Sequence, residues 1–150
     1  TNWCTLFVRG AGGFGGSAGP RESAPEIPDR APDERVEIPT SRDQALIYRL
    51  SGDYNPLHAD PEFARMAGFD EPILHGLCSY GIACRAVVET ACDGAPERLA
   101  AFRGRFSSPV WPGETLVTEV WREGPEVLFQ TQVKEREVTA ISRGRARLTV

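Results

Sequence analysis

The C-terminal half of the chain alternates. Val127, Phe129, Thr131 and Val133 share one register, and Leu128, Gln130, Gln132 and Lys134 the other, which predicts a strand with one buried and one wetter face. Strand signals of the same kind cover Leu99 to Phe106, Thr115 to Arg122, Glu126 to Lys134 and Val138 to Val150. Gly124-Pro125 and Glu135 to Glu137 read as the turns between them. Strands joined this closely must be antiparallel, because a parallel pair needs a long crossover.

The pattern changes period upstream. Gly76 to Ala91 is apolar or small almost all round, with Leu77, Gly81, Cys84, Val88 and Ala91 at heptad-like spacing and only Arg85 and Glu89 charged. That predicts a core helix. Before it come a short strand signal at Val36 to Ile38, a helix carrying Ala45, Leu46, Arg49 and Leu50, and a short helix over 61–67 stopped by Gly68. Ser41 with Gln44 fits a capping box for the first of these helices, with Thr40 as an alternative cap. The fold class is therefore α+β, a curved antiparallel sheet wrapped around one long central helix.

The N-terminal residues do not join this pattern. Thr5 to Val8 reads as a strand running into the glycines of residues 10–16. Residues 10–15 match G-x-G-x-x-G, but a dinucleotide site needs a helix opening at the last glycine. Here Pro20, Pro25, Pro28 and Pro32 follow, so no helix can cradle a pyrophosphate. The expected organisation is a trailing strand and Gly-rich turn over 1–16, a Pro-rich linker over 17–34 and one domain over 35–150. With no initiating Met, the chain reads as processed or cut from something longer.

Composition adds exclusions. A net charge of −4 gives no footprint for nucleic acid or for an acidic membrane surface. The run from Gly76 to Cys92 is too short and too interrupted for a membrane span. Cys78, Cys84 and Cys92 fall within one predicted helix and its end, which suits buried reduced thiols, with Cys4 apart. The compartment read from this is cytoplasmic; a eukaryotic chain would also suit the peroxisome, although no C-terminal targeting signal is present.

The candidate chemistry lies between the first two helices. The first helix stops at Ser51-Gly52, and Asp53, Asn55 and His58 follow at once in a segment that Pro56 and Pro61 keep from being helical. Asp60 is placed to cap the next helix, with Pro61 at its first position. A carboxylate, an amide and an imidazole thus share one pinned loop, and an Asp–His pair can hold and deprotonate a water. The second candidate is His75-Gly76. Gly76 opens the core helix, so its N–H is an unpaired first-turn donor at the positive end of the helix dipole, suited to an oxygen that becomes negative during reaction. His75 reads either as a second catalytic imidazole or as a loop histidine holding the turn.

Three rival chemistries fail on spacing. A metal site from Asp53, His58, Asp60 and His75 has two histidines with sixteen residues between them, which matches no standard pattern. A calcium loop opening at Asp53 would need Gly at the position of His58 and Glu at that of Ala64. Gly76-Leu-Cys-Ser-Tyr-Gly81 is one residue too long for a nucleophile elbow and lies inside a helix.

Tyr48 to Ala64, with Ser51-Gly-Asp53, Asn55-Pro56, His58 and Asp60-Pro61, resembles the signature of the MaoC-like hydratase 2 family. The loop Pro72-Ile-Leu-His-Gly76 and the stretch Pro109-Val-Trp-Pro-Gly113-Glu-Thr-Leu116 resemble its next two motifs. Residues 6–16 resemble the end of the upstream unit in two-domain members. The resemblance implies a hot dog fold and reversible (R)-specific hydration of a trans-2-enoyl-CoA to a (3R)-3-hydroxyacyl-CoA. It implies Asp53 and His58 holding the water with Asp53 as base toward it, Asn55 orienting the pair or the thioester, and Gly76 N–H on the thioester oxygen. Leu74 and His75 are implied at the substrate, and Arg103 and Arg105 are the local candidates for CoA phosphates. No metal and no cofactor is implied, since the thioester itself acidifies the α-carbon. The expected partners are an acyl-CoA or acyl carrier protein thioester and a second hot dog unit, as homodimer or pseudo-dimer, with no nucleic acid and no membrane. The alternatives are a hot dog thioesterase, a 3-hydroxyacyl-carrier-protein dehydratase, and a non-catalytic acyl-binding hot dog.

Overall fold

The structure, a computed structural model, describes residues 1–2, 4–5, 8, 10–16 and 25–149. Five strands form one antiparallel sheet: β1 (Glu34–Pro39), β2 (Leu99–Phe106), β3 (Thr115–Glu123), β4 (Glu126–Val133) and β5 (Val138–Leu148). The spatial order is β1-β3-β4-β5-β2, and every neighbouring pair is antiparallel. Three helices intervene between β1 and β2: α1 (Gln44–Tyr48), α2 (Pro61–Met66) and α3 (Gly76–Ala91). This is the hot dog arrangement, a curved sheet with a long helix against it.

The alternation in β4 is realised residue by residue. Val127, Phe129, Thr131 and Val133 are fully buried, and the residues between them are half-buried. Phe129 packs with Ala83, Val87 and Ala91 of α3 and with Val120, Val127, Ile141 and Ala146 of the sheet. Gly144 of β5 lies opposite Phe129, where a Cβ would come within 2.2 Å of the Phe129 carbonyl oxygen; only glycine fits so close an approach. Thr118 and Thr131 are the polar pair inside the sheet. Their hydroxyls bond each other at 2.9 Å, which avoids a penalty of about 1–3 kcal/mol for an unpaired buried polar group.

The central helix differs from its expected pattern. The residues turned to the core are Cys78, Ser79, Ala83, Ala86, Val87 and Ala91. Leu77 is 62 % exposed, Gly81 is exposed, and Cys84 and Val88 are half-buried, so of the heptad-like series only Ala91 is buried. The sheet therefore covers one side of α3, and the side bearing Leu77 and Gly81 stays open. Small residues at 83, 86 and 91 let the helix lie close to the sheet, and that closeness selects the buried face.

A second cluster anchors the polar loops. Ala45 of α1, Leu74, Cys78 of α3, Val110, Leu116, Val133 and Ala140 pack together, with Tyr48 against them. Ser41 and Gln44 do not form a capping box. The Ser41 hydroxyl bonds the Asp43 carboxylate, and Asp43 occupies the cap position without capping through its side chain. Thr40 is drawn away too: its hydroxyl donates to the Glu114 carbonyl at 2.8 Å and accepts from Gly113 N–H at 2.9 Å. These bonds tie the end of β1 to the turn before β3, a long-range demand that outweighs the local capping pattern.

Part of the expected linker is bound to the sheet. Asp33 N–H donates to Val120 O at 2.9 Å, Arg122 N–H donates to Asp33 at 2.7 Å, and Trp121 Nε1–H donates to Arg30 O at 3.0 Å. Residues 17–24 of that linker lie outside the described residues, as do Leu6 and Phe7 of the strand expected over 5–8 and Val150 at the end of the last strand. Thr5 and Val8 belong to no strand. On β5, Arg143 sits at φ 53, Arg145 is half-buried with Nε on Glu126, and Arg147 is exposed. Among the described residues no helix is long and apolar enough to cross a membrane.

Candidate active site

α1 runs into a single 3₁₀ turn, Arg49–Ser51, and ends at Gly52 with φ 113, a left-handed conformation that glycine adopts without penalty. This reverses the chain and presents Asp53 as an exposed residue. Asp53 accepts the Asn55 N–H at 3.2 Å, and the Asn55 side-chain oxygen accepts Leu57 N–H at 3.0 Å. The segment after Asn55 was expected to be non-helical. It is instead a 3₁₀ turn, Pro56–His58, capped by Asn55, because Pro56 sits at its first position, where a missing N–H costs nothing. Asn55 is thus occupied in shaping the loop that carries Asp53 and His58. Asp60 caps α2 as its position suggests, accepting from Glu62 N–H at 2.8 Å.

His58 is 8 % exposed, and its Nδ1 lies 2.8 Å from the Ile73 carbonyl. A carbonyl only accepts, so Nδ1 carries the proton and Nε2 keeps the lone pair. His75 is 1 % exposed, and its Nε2 lies 3.1 Å from the Asp53 carbonyl, so the opposite tautomer holds there. The two rings stack with centroids 3.8 Å apart, tilted by 26°, and Tyr48 meets the His75 ring at 4.8 Å. Burial lowers the pKa of His75, with the neighbouring His58 and Arg49 acting in the same direction against the hydrogen bond to Asp53. His75 is therefore a neutral, buried imidazole. Burial likewise raises the Tyr48 hydroxyl above its ordinary pKa.

Gly76 is the first residue of α3, and His75 precedes it in an extended conformation at ψ 132. Its amide has no acceptor within the helix. Leu74 is pinned by its N–H to the Val110 carbonyl at 2.7 Å. A cavity of about 300 Å³ opens here, lined by Ile73, Leu74, Gly76, Ser79, Phe106 and Val110 among others. The walls are mainly apolar, and Gly76 stands in them at the positive end of the helix. Of the residues expected at substrate, Leu74 and Gly76 line this cavity. Arg103 and Arg105 are exposed on β2 and are not in its lining, and neither are Asp53, Asn55, His58 and His75.

One donor atom from each of Asp53, His58 and His75 lies within 4.8 Å of the others. The spacing of the histidines argued against a group of Asp53, His58, Asp60 and His75, yet the fold stacks the two distant rings and brings three of the four together, with Asp60 occupied as the α2 cap. Each imidazole has one nitrogen committed to a carbonyl, which leaves His58 Nε2, His75 Nδ1 and the Asp53 carboxylate as the donors that face one another.

Two further residues, Tyr48 and Arg49, belong to the site. Tyr48 was visible as the start of the motif, but its contact with His75 depends on the tertiary fold. Arg49 places its guanidinium carbon 5.5 Å from the Tyr54 ring, and its Nε is buried without a partner among the described residues. Nothing in the helical spacing distinguished it from a surface arginine.

Residues 23–143 match the MaoC like domain. The chain is 56 % identical over 131 residues to 3-hydroxyacyl-thioester dehydratase Y of Mycobacterium tuberculosis, covering 86 % of this chain and 45 % of that protein. It is 50 % identical over 150 residues to the peroxisomal enoyl-CoA hydratase 2 of Arabidopsis thaliana, covering 94 % of this chain and 48 % of the relative. Among solved structures, a MaoC-like dehydratase from Phytophthora capsici superposes with a TM-score of 0.89 at 48 % identity, over 94 % of this chain and 50 % of that one. The chain thus spans about half the length of these relatives.

Proposed function

The chain belongs to the MaoC-like domain family, and from that premise we propose that it hydrates trans-2-enoyl-CoA thioesters reversibly to (3R)-3-hydroxyacyl-CoA. One observation carries the reading: an exposed carboxylate, Asp53, and the free lone pair of His58 share one loop, and that loop is bonded to the residue directly before the Gly76 amide.

The chemistry follows from those groups. A water held between the Asp53 carboxylate and His58 Nε2 gives a proton to Asp53, the base, as its oxygen forms a bond to C3 of the enoyl thioester, and Asp53 later returns that proton to C2. The electron pair of the double bond moves onto the thioester oxygen, where the Gly76 N–H stabilises the developing charge. The enolate then collapses and takes the proton at C2, so one water is added and nothing is left over. Dehydration is the same path reversed. The thioester supplies the acidity at C2, so the step draws on no metal or redox cofactor. The apolar cavity beside Gly76 suits the substrate end of an acyl thioester, which supports the reading. The relatives named as a 3-hydroxyacyl-thioester dehydratase and an enoyl-CoA hydratase 2 support it as well.

A second hot dog unit completes the proposed assembly, either a copy of this chain or a paired domain. Supporting this, β2 is an edge strand, and Leu77 and Phe106 are 62 % and 52 % exposed. The activity is tested by the loss of enoyl-thioester absorbance with stereochemical analysis of the product. Release of free thiol would mark a thioesterase instead.

A further inference from the structure

We infer that His75 is a positioning residue for the proposed reaction: its buried ring holds the Asp53 backbone and the His58 imidazole in register with the Gly76 amide. The inference rests on the hydratase reading for what is being positioned, but not for the geometry.

Two loops must cooperate in this site. One runs from Asp53 to His58, and the other ends at His75 before α3. They are cross-braced by two hydrogen bonds running in opposite senses. His58 on the first loop donates from Nδ1 to Ile73 O on the second, at 2.8 Å. His75 on the second donates from Nε2 to Asp53 O on the first, at 3.1 Å. The stacked faces, 3.8 Å apart, close the brace. His75 is also the residue before Gly76, so whatever it holds is fixed relative to that amide. A misplacement of about 1 Å in such an arrangement costs on the order of 100-fold in rate.

The same facts argue against a direct catalytic role. At 1 % exposure the ring has no surface for substrate or water. Its free nitrogen, Nδ1, is buried without a partner among the described residues. A second proton there would find no acceptor and would sit against the His58 ring. The charged and titratable groups around it are Tyr48 and Arg49 at the end of α1, and Asp53 and His58 on the loop. Only neutral His75 serves all these neighbours, and only its Nε2–H tautomer reaches Asp53.

The chain has just two histidines, so imidazole ¹⁵N NMR reads both directly. At a pH where both rings are neutral, the wild-type protein should show one Nδ1–H tautomer, His58, and one Nε2–H tautomer, His75. His75→Phe keeps a stacking ring and loses the donor; His75→Gln keeps a donor and loses the ring. His75→Phe should melt cooperatively yet lose about 100-fold in kcat with KM nearly unchanged, and its single remaining histidine should populate both tautomers. His75→Gln should recover at least about tenfold of that kcat. A His75→Phe protein with wild-type kcat and a pure Nδ1–H His58 would overturn the inference. So would equal losses in both variants that follow the fraction folded, which is what simple packing would give. If the wild-type chain hydrates no enoyl thioester, the functional reading fails, while the tautomer spectra still decide whether the brace exists.

Discussion

His58 and His75 each donate a hydrogen bond to a backbone carbonyl on the loop that carries the other. The acceptors are Ile73 O at 2.8 Å and Asp53 O at 3.1 Å, and the rings stack between the two bonds. This single relationship turns two polar loops into one site. It fixes the tautomer of His58, leaves its Nε2 free for water, and ties the carboxylate loop to the start of α3.

The Gly76 amide can be removed without unsettling the helix. Proline is favoured at the first helical position, and the preceding residue, His75, already has the extended conformation that a following proline demands. Gly76→Pro should therefore stay folded and lose about 100- to 1,000-fold in kcat, the cost of deleting one oxyanion donor. Gly76→Ala keeps the amide, and its Cβ would meet the Phe106 ring at 3.4 Å, so it should keep kcat within about tenfold. Steady-state kinetics on the two variants, with melting curves, separate loss of the donor from added bulk.

His75 also makes stability depend on pH in a defined direction. Its folded pKa is depressed, mainly by burial, so below the unfolded value of about 6.5 the unfolded chain binds a proton that the folded chain resists. This contribution is complete above that pH and is lost as pH falls through the folded value. Urea midpoints measured from pH 7.5 downwards should drop below about pH 6.5. His75→Phe should lack that part of the drop, and an identical slope in both proteins would remove His75 as its source.

The chain should self-associate when its relatives' other half is absent. Among the described residues, β2 ends the sheet with no strand on its outer side, and α3 leaves Leu77 and Gly81 uncovered. Sedimentation should give a species about twice the 16.4 kDa chain at micromolar concentration, and Leu77→Asp should shift it toward monomer. A wild-type chain that stays monomeric and soluble would show that the edge is protected in some other way.

Local chemistry was readable wherever it was governed by neighbours in the chain. The stop at Gly52, the Asp60 cap, the alternation in β4 and the bounds of α3 all depend on residues a few positions apart, and the structure agrees with each. Long-range demands were not readable. Thr40 left its capping role to bind the Glu114 carbonyl across 74 positions, and the buried face of α3 was chosen by where small residues let the sheet approach. His58 and His75 show both sides of this. Each was visible as a candidate, but their stacking and reciprocal bonds depend on how two loops are folded together, which no spacing rule encodes.

The central claim is that Asp53 and His58 activate a water for addition to an enoyl thioester. The most direct measurement is the absorbance of the conjugated enoyl-CoA on mixing with wild type, Asp53→Asn and His58→Ala, each shown by melting to be folded. The account predicts rapid loss of absorbance with (3R)-3-hydroxyacyl-CoA as product for wild type, and rates lower by at least about 100-fold for either variant. Folded variants that hydrate at the wild-type rate, or a wild-type reaction that yields the (3S) product or free thiol, would contradict it.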